Sequence, residues 1–366
     1  MMEKLPLETQ TLYAEFMEQL LAMEAHRSIG RISGCFTTKI VKGETYYYFQ
    51  YSEPGGVPRQ VYVGKKIPAL DRVVKRFLTD REAFKVDIQH IQRLCAQLRM
   101  GGALITDTAS ARVLKAFAES GVFHLNGVLV GTHAFTVLGN LLGVRWTSSA
   151  AKTQDVDIAS ELRLSIAVPN IQADVPQILE GLEMGFLPVP PLNPKNPSTS
   201  FKVRGKPLRV DILTPEISAN DRNPVFISRF NVAAQPIRFL DYLIENPEQG
   251  AVVNGGGILL KVPTPARFAF HKLIASRERG VTMHDKVEKD IMQAAQVFSV
   301  LADERPGDLL LAWDEIERRG EGWVKRVAAG LSVMRERHRV EHEMVHRALP
   351  ELKAVLLRHG GRNGNR

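Results

Sequence analysis

The sequence predicts an α+β protein in three parts: an N-terminal accessory module of helices and a β-hairpin over 1–104, a mixed core over 105–262 and a helical C-terminal domain over 263–366. Three observations carry this prediction. Aromatic residues typical of strands are concentrated in the first hundred residues, strand and helix patterns alternate through the middle, and apolar residues recur at helical spacing from Pro263 onward. The length of 366 residues suits two or three domains, at roughly 100–200 residues each.

The first part of the chain contains both helical and strand patterns. Residues 7–25 carry apolar side chains at helical spacing and predict an amphipathic helix. The aromatic segment 46–51 and the segment 59–63 flank a Pro-Gly-Gly sequence, which is typical of two strands joined by a turn. Apolar residues then recur at intervals of three and four, and we expect two helices over 67–79 and 82–99. These patterns together predict a small α+β module.

The composition excludes several classes of protein. With 44% hydrophobic and 24% charged residues, the chain has the make-up of a globular protein rather than a disordered or fibrous one. Its two cysteines, Cys35 and Cys95, are too few for a disulfide framework or a four-sulfur zinc site. The few cysteines, and an opening MMEKLPLETQ without the pattern of a signal peptide, predict a cytoplasmic protein.

One segment raises the question of a membrane span. Residues 127–144 contain no Asp, Glu, Lys or Arg over 18 positions, which is the lower limit for crossing a bilayer. The segment also contains four glycines, His133 and Asn140, and Arg145 follows it. We therefore interpret it as a strand that leads into a buried helix, and we expect no association with a membrane.

The charge of the chain favours anionic partners. The formal net charge is +8 and the isoelectric point is near 9.4. A basic protein attracts polyanions, so nucleic acids and nucleotides are favoured as partners over basic proteins.

Three aspartates in the core form the pattern with the clearest chemical meaning. Asp155 and Asp157 stand two residues apart in a strand-like segment, so their side chains project from the same face of the strand. Asp211 lies in the apolar segment LRVDIL, where a lone carboxylate needs a compensating partner. Neighbouring carboxylates repel one another unless a cation lies between them. The pattern predicts catalytic residues that share divalent metal ions, Mg²⁺ or Mn²⁺, through their oxygens.

A second pattern, Gly131-Thr132, precedes these aspartates. The apolar segment that follows it is typical of a helix, so the pair is expected at a helix N-terminus. The free backbone N–H groups of such an end, together with the threonine hydroxyl, can bind the phosphates of a nucleotide. Glycine at this position permits a close approach of the backbone to the ligand.

The order of these features resembles the nucleotidyltransferase-fold superfamily, whose palm is like that of polymerase β: a glycine beside a small hydroxyl residue, a helix, Asp-x-Asp on a strand and a third Asp on a later strand. Within it, VLVGTHAF and TQDVDIA are similar to bacterial nucleotidyltransferase-fold proteins. The resemblance implies a mixed sheet flanked by helices and a nucleoside triphosphate, such as ATP, as substrate. The 24 positions from Gly131 to Asp155 (155 minus 131) exceed the usual spacing, so we expect an inserted loop over 145–154.

The C-terminal part carries a second resemblance. The segments KVPTPARFAFHKLIASRERG and HDKVEKDIMQAAQVF are similar to the helical portion of abortive-infection and toxin–antitoxin nucleotidyltransferases. In those proteins a Lys and an Arg on one helix, and a Lys-Asp pair at the start of the next, face the nucleotide phosphates. The resemblance therefore implies a nucleotide-binding role for Lys272, Arg277, Lys289 and Asp290. Gln293 stands where the toxin-type pattern has a further Asp.

Three other patterns have ordinary structural explanations that we favour. His133 lies in an apolar helix and is expected to be a core histidine, although it could contact a phosphate. His338, His342 and His346 have a spacing that can bind a metal on one helix face, but their neighbours are heavily charged and indicate an exposed helix. The tyrosine-rich hairpin with Arg59 could stack bases, and packing against helices explains the same aromatic residues.

The sequence leads to one principal hypothesis of function and two alternatives. The principal one is a Mg²⁺-dependent enzyme that transfers a nucleoside monophosphate from an NTP to an acceptor hydroxyl of RNA, tRNA, a protein or a small molecule, and releases pyrophosphate. One alternative is a non-catalytic regulator that binds a nucleotide or nucleic acid on the same fold. The other is a phosphotransferase that moves the γ-phosphoryl group. The sequence leaves the oligomeric state open.

Overall fold

The computed structural model describes the larger part of the chain, in nine ranges of residues. These are the ranges 2–25, 34–52, 58–146, 154–161, 173–191, 193–218, 223–254, 256–278 and 284–352. The Pro-Gly-Gly turn, most of the loop expected over 145–154 and the last 14 residues (353–366) lie outside them.

The described chain contains both strands and helices up to Val262, and from Pro265 onward its described elements are all helices. The strands are β1 (Glu3–Lys4), β2 (Cys35–Val41), β3 (Glu44–Ser52), β4 (Pro58–Lys65), β5 (Gly127–Val130), β6 (Val144–Arg145), β7 (Asp155–Ser160), β8 (Phe186–Pro188), β9 (Ser200–Val203), β10 (Arg209–Pro215), β11 (Val225–Ile227), β12 (Val232–Ile237), β13 (Glu248–Val252) and β14 (Ile258–Val262). The helices are α1 (Leu7–Ala25), α2 (Pro68–Met100), α3 (Thr108–Glu119), α4 (Gly131–Leu141), α5 (Val175–Gly181), α6 (Leu240–Ile244), α7 (Pro265–Glu278), α8 (His284–Glu304), α9 (Pro306–Arg318), α10 (Glu321–Arg337) and α11 (Arg339–Ala348).

A mixed sheet of seven strands forms the centre of the protein. Its main path runs β11-β12-β10-β7-β5, with β9 paired to β10 and β8 paired to β9. β10 is parallel to β7 and to β12, whereas β5 is antiparallel to β7. With helices around this sheet and a helical region after it, the fold is the α+β architecture predicted from the sequence.

The two middle strands of this sheet alternate between buried apolar and partly exposed polar residues. Val156 and Ile158 on β7, and Val210 and Ile212 on β10, are fully buried. Side chains alternate across a strand, so the residues between them face the opposite side of the sheet. This alternation leaves one face of β7 and β10 free to carry acidic side chains.

Besides the short strand β1, the N-terminal region contains one more strand and one fewer helix than the sequence predicts. β2, β3 and β4 form a three-stranded antiparallel sheet, of which the sequence indicated only the hairpin of β3 and β4. The two helices expected over 67–79 and 82–99 are the single 33-residue helix α2. The expected break was wrong because Thr79, Asp80 and Arg81 include no glycine or proline, so nothing in the backbone stops the helix there.

Helix α1 shares a core with the second half of α2 and with β13. The hydroxyl of Tyr13 donates a hydrogen bond to the carbonyl of Ala251 at 3.0 Å. Around it, Phe16, Leu94 and Val253 belong to one buried cluster. The short strand β1 also pairs antiparallel with β6, so the beginning of the chain is joined to the core at two places.

The C-terminal helices pack on one another around buried aromatic residues. Phe270 of α7 contacts Phe298 of α8, with ring centroids 4.9 Å apart, and Trp313 of α9 lies 6.0 Å from Phe270. Phe268 of α7 stacks on Phe135 of α4 at 5.9 Å, which ties the helical region to the helix that follows β5. Through this contact α7 and α8 are held over the core.

None of the helices that the structure describes has the length and apolar character needed to cross a membrane. The uncharged segment 127–144 is divided between β5 and the 11-residue helix α4, as the sequence indicated.

A buried carboxylate at the start of β13 predicts an unusual dependence of stability on pH. Oε1 of Glu248 is buried without a hydrogen-bond partner in the described part of the chain, and burial raises the pKa of Glu248 to about 7. The folded protein therefore holds this proton more tightly than the unfolded chain, where the pKa is near 4.5. The contribution of the protonated Glu248 carboxyl to folding stability is complete below pH 4.5 and is lost as the pH rises through 7.

We therefore expect Glu248→Gln to raise the free energy of unfolding at pH 8 by about 1–3 kcal/mol and to change it little at pH 5. Urea denaturation of both proteins at the two pH values measures the difference. An effect of the same size at both would show that ionisation of Glu248 is not its cause.

Candidate active site

The three predicted aspartates lie on one face of two neighbouring strands. Asp155 and Asp157 are on β7 and Asp211 is on β10. The parallel register places Asp211 directly opposite Asp157, and Arg209 directly opposite Asp155. Residues opposite each other in a parallel pair project to the same side, so all four side chains share the polar face of the sheet.

Helix α4 begins beside Asp157. Val130, the last residue of β5, is the register partner of Asp157, and Gly131 follows it as the first residue of the helix. Gly131 has a φ of +72°, a conformation that only glycine adopts readily. A Cβ on Gly131 would collide with Oδ2 of Asp157 and lie 3.3 Å from its Cγ. Glycine is therefore required here both by the backbone and by the neighbouring carboxylate.

The start of α4 has the features of an anion-binding helix end. Its N-cap residue is Val130, whose side chain cannot accept a hydrogen bond from the first turn. The backbone N–H groups of that turn are thus left for another partner, and they carry the positive end of the helix dipole. Thr132 is buried in this turn, and its carbonyl accepts a hydrogen bond from the Thr136 hydroxyl at 3.2 Å.

Asp211 is held by two partners that no pattern in the sequence predicted. Arg209 Nε donates to Asp211 Oδ1 at 2.8 Å, and Nη2 of the same guanidinium donates to Ser200 Oγ at 2.8 Å. The Ser200 hydroxyl also donates to Asp211 Oδ1. The sequence does contain one sign of Arg209: it stands two residues before Asp211 and therefore lies on the same face of the strand. Ser200 lies next to Asp211 only because β9 pairs with β10, which the sequence does not reveal.

The carboxylates strongly influence one another. Burial, followed by the nearby charges of Asp211 and Asp155, raises the pKa of Asp157 to about 7. The positive charges of Lys272 and Arg209 act in the opposite direction. A group of acids with mutual repulsion of this kind is stabilised by added positive charge.

Two residues of the C-terminal helices form a buried ion pair. Nζ of Lys272 on α7 lies 2.7 Å from Oδ1 of Asp290 on α8, and the two side chains are only 12% and 3% exposed. The ammonium also lies 5.2 Å from the centre of the Phe268 ring. Asp290 is thus engaged with Lys272, and its geometry suits a residue that positions the lysine better than one that contacts a nucleotide.

Lys289 lies close to the same group of charges. Its pKa is lowered, first by burial and then by the charge of Lys272, whereas Asp290, Asp155 and Asp157 act to raise it. The start of α8 therefore carries a half-buried ammonium within electrostatic range of the carboxylates on β7. The helical region and the sheet face each other across this group of acidic and basic side chains.

Arg277 lies apart from Lys272 on the surface of α7. It is exposed in the last turn of α7, and five residues of helix turn it about 140° away from Lys272. His133, by contrast, is buried in α4 and lies within the electrostatic influence of Lys289. Burial lowers the pKa of His133, and its Nε2 is buried without a hydrogen-bond partner among the described residues, so its role stays a prediction.

The donor set fits hard divalent cations in its chemistry. Three carboxylates on one face supply the oxygen ligands that Mg²⁺ and Mn²⁺ take, and their repulsion favours a cation. No three Asp, Glu, His or Cys side chains among the described residues are arranged as a ready metal site, and Oδ1 of Asp211 is already engaged by Arg209 and Ser200. A cation shared by all three aspartates would therefore compete with this arginine.

The architecture is a mixed sheet flanked by helices, with a helical region after it. A family model described as Nucleotidyltransferase matches residues 108–317, which is more than half of the chain. The chain belongs to this nucleotidyltransferase family, and membership supports nucleotidyl transfer as its type of activity.

Among solved structures, the chain is similar to the crystal structure of an antigenic nucleotidyltransferase-like protein from Paracoccidioides brasiliensis. The two share 14% sequence identity, over 61% of this chain and 94% of that chain, with a TM-score of 0.31. No curated protein matches the chain.

Proposed function

We propose that the protein is a Mg²⁺-dependent enzyme that transfers a nucleoside monophosphate from an NTP to an acceptor hydroxyl and releases pyrophosphate. The observation that carries this proposal is the in-register placement of Asp157 opposite Asp211, with Asp155 on the same face. Three acids at one place cost folding free energy, and a reaction that needs cations at that place explains why they are there.

In this proposal the three aspartates would hold the metal. When bound there, divalent ions would supply activation of the attacking hydroxyl and would offset the charge that develops on the leaving pyrophosphate. Before metal binds, Arg209 keeps Asp211 in place and offsets part of its charge. The other residues of the site then act on the nucleotide rather than on the metal.

The phosphates would be bound from two sides. Gly131 and Thr132 offer the backbone N–H groups at the start of α4 next to Asp157. Lys272 and Lys289 supply positive charge from α7 and α8, and Asp290 fixes Lys272. A triphosphate carries several negative charges, so a helix end and metal ions alone leave part of them uncompensated.

Labelled nucleotides distinguish this function from its alternatives. The protein is incubated with α- or γ-labelled NTPs, Mg²⁺ or Mn²⁺, and acceptors from total RNA, tRNA and a lysate, with EDTA as a control. We expect metal-dependent transfer of the α label to an acceptor. Transfer of only the γ label would indicate a phosphotransferase, and nucleotide binding without any transfer would indicate a regulator; either result would overturn the proposal.

The lysine at the start of α8 gives a direct test of the phosphate site. Lys289→Ala removes a partly desolvated ammonium near the carboxylates, and we expect NTP affinity to fall by roughly 1–3 kcal/mol. Calorimetry with a non-hydrolysable NTP and Mg²⁺ measures this change. The matched control is Lys286→Ala, since Lys286 lies on the same helix three residues earlier and is exposed. Equal NTP affinities of the two variants would show that Lys289 does not bind the nucleotide.

A further inference from the structure

The N-terminal sheet has a face on which three tyrosines meet. Tyr46 and Tyr48 on β3 both contact Tyr62 on β4, with ring centroids 6.0 and 5.6 Å apart. Nζ of Lys39 on β2 lies 4.7 Å from the centre of the Tyr48 ring. Gln60, two residues before Tyr62, donates to the Thr37 hydroxyl at 2.9 Å. We call this surface the tyrosine face; it consists of Thr37, Lys39, Tyr46, Tyr48, Gln60 and Tyr62.

The opposite face of the same sheet provides its packing. Phe36 and Phe49 lie against Phe77 of α2, with ring centroids 5.1 and 5.8 Å apart. The hydroxyl of Tyr47 donates to Asp71 of α2 at 2.7 Å. The helix therefore holds the sheet from one side, and packing on α2 does not explain why tyrosines also line the other.

The tyrosine face remains accessible at the place where the rings meet. Tyr62 keeps 57% of its surface exposed, although it touches both other tyrosines. An exposed ring of this kind offers one face to a planar ligand.

The charges around this face are mainly positive. The described charged residues of these strands that share the face are Lys39, Lys65 and one acid, Glu44, which pairs with Lys65 at 2.8 Å. Lys39 lies on the tyrosine face itself, and the whole chain carries a net charge of +8. Exposed aromatic rings beside positive charge are the combination that binds bases and phosphates of a single strand together.

We propose that the tyrosine face binds single-stranded nucleic acid, with a base stacked on Tyr62, the phosphate backbone near Lys39, and polar base edges within reach of Gln60. The site is separate from the carboxylates of β7 and β10, so this inference goes beyond the nucleotidyl transfer proposed above. It does not depend on whether the carboxylates bind metal or whether the acceptor is an RNA.

Binding of a labelled oligonucleotide to the full-length protein tests the inference. Fluorescence anisotropy with a mixed-sequence single-stranded 12-mer, as RNA and as DNA, is measured without NTP or metal, so that the active site is not read out. We expect Tyr62→Ala to weaken binding by about 5- to 150-fold, the range for loss of one stacked base. Lys39→Gln should weaken binding and lower the slope of log K against log salt by about 1.

The control variant is Val61→Ala. Val61 is the neighbour of Tyr62 on β4, is 50% exposed and belongs to the other face of the sheet, so its truncation should leave binding unchanged. An abasic 12-mer should bind as weakly to the wild type as the normal 12-mer binds to Tyr62→Ala. Each result can fail independently of activity at the carboxylates.

Several outcomes would overturn the proposal. Absence of oligonucleotide binding, or equal affinity for the normal and abasic strands, would show that no base stacks on this face. A Val61→Ala effect as large as that of Tyr62→Ala would indicate damage to the sheet rather than loss of a contact. A concentration-dependent dimer that Tyr62→Ala abolishes, seen by light scattering, would show that a second copy of the chain covers the tyrosines.

Discussion

Asp157→Asn should abolish nucleotidyl transfer and at the same time stabilise the metal-free protein. An amide fills the same space but cannot offset the charge of a cation, so we expect activity to fall by more than about 100-fold, the upper range for loss of an outer-shell partner of a metal. The gain in stability follows from the removal of one of three neighbouring carboxylates. It should reach roughly 1–3 kcal/mol at pH 8, above the pKa of about 7.

Asp157→Asn is informative because its expected effects on activity and on stability have opposite signs. Transfer of the α label measures the activity, and urea denaturation in EDTA at pH 8 measures the free energy of unfolding. Asp314→Asn is the matched control, because Asp314 lies exposed on α9 and its neutralisation should change neither quantity. A variant that retained transfer would show that Asp157 is not catalytic. A variant that lost both activity and stability would show that the carboxylate has a structural role in the fold.

The parts of the fold that the sequence predicted are those set by local periodicity. α1, α4, β7 and β10 were indicated by apolar spacing within one segment, and the alternation along β7 is sufficient to place Asp155 and Asp157 on one face. The third aspartate stands out because a carboxylate between Val210 and Ile212 breaks an apolar strand. These inferences need only the period of a strand or a helix.

The parts that the sequence did not predict depend on pairing between distant segments. Ser200 and Arg209 meet Asp211 through the register of β9 with β10, and no spacing along the chain reveals that register. Strand β2 is part of the sheet through its pairing with β3, which no local pattern in the sequence indicates. Arg277 is a different case: similarity of a segment implies a nucleotide-binding role, while its exposed side chain lies about 140° around α7 from Lys272, so this role stays a prediction.

Gly131→Ala should remove activity through a single added carbon atom. The new Cβ would collide with the Asp157 carboxylate, so the carboxylate or the start of α4 must move. It would also force an L-residue to a φ of +72°, which costs about 1–2 kcal/mol. We expect loss of NTP binding and of transfer, because the start of α4 and the Asp157 carboxylate would no longer keep their relative positions. Calorimetry with a non-hydrolysable NTP and transfer of the α label measure the two effects.

Gly121→Ala separates the steric effect from the backbone strain. Gly121 has a φ of +82°, close to that of Gly131, but a Cβ there meets no atom within 4 Å in the described structure. Both variants should therefore lose the roughly 1–2 kcal/mol of backbone strain, Gly131→Ala should lose more stability through its collision with Asp157, and only Gly131→Ala should lose function. If both variants lost function alike, instability would be sufficient to explain it. If Gly131→Ala kept its NTP affinity, the start of α4 would not bind the phosphates, and the nucleotide would have to bind elsewhere.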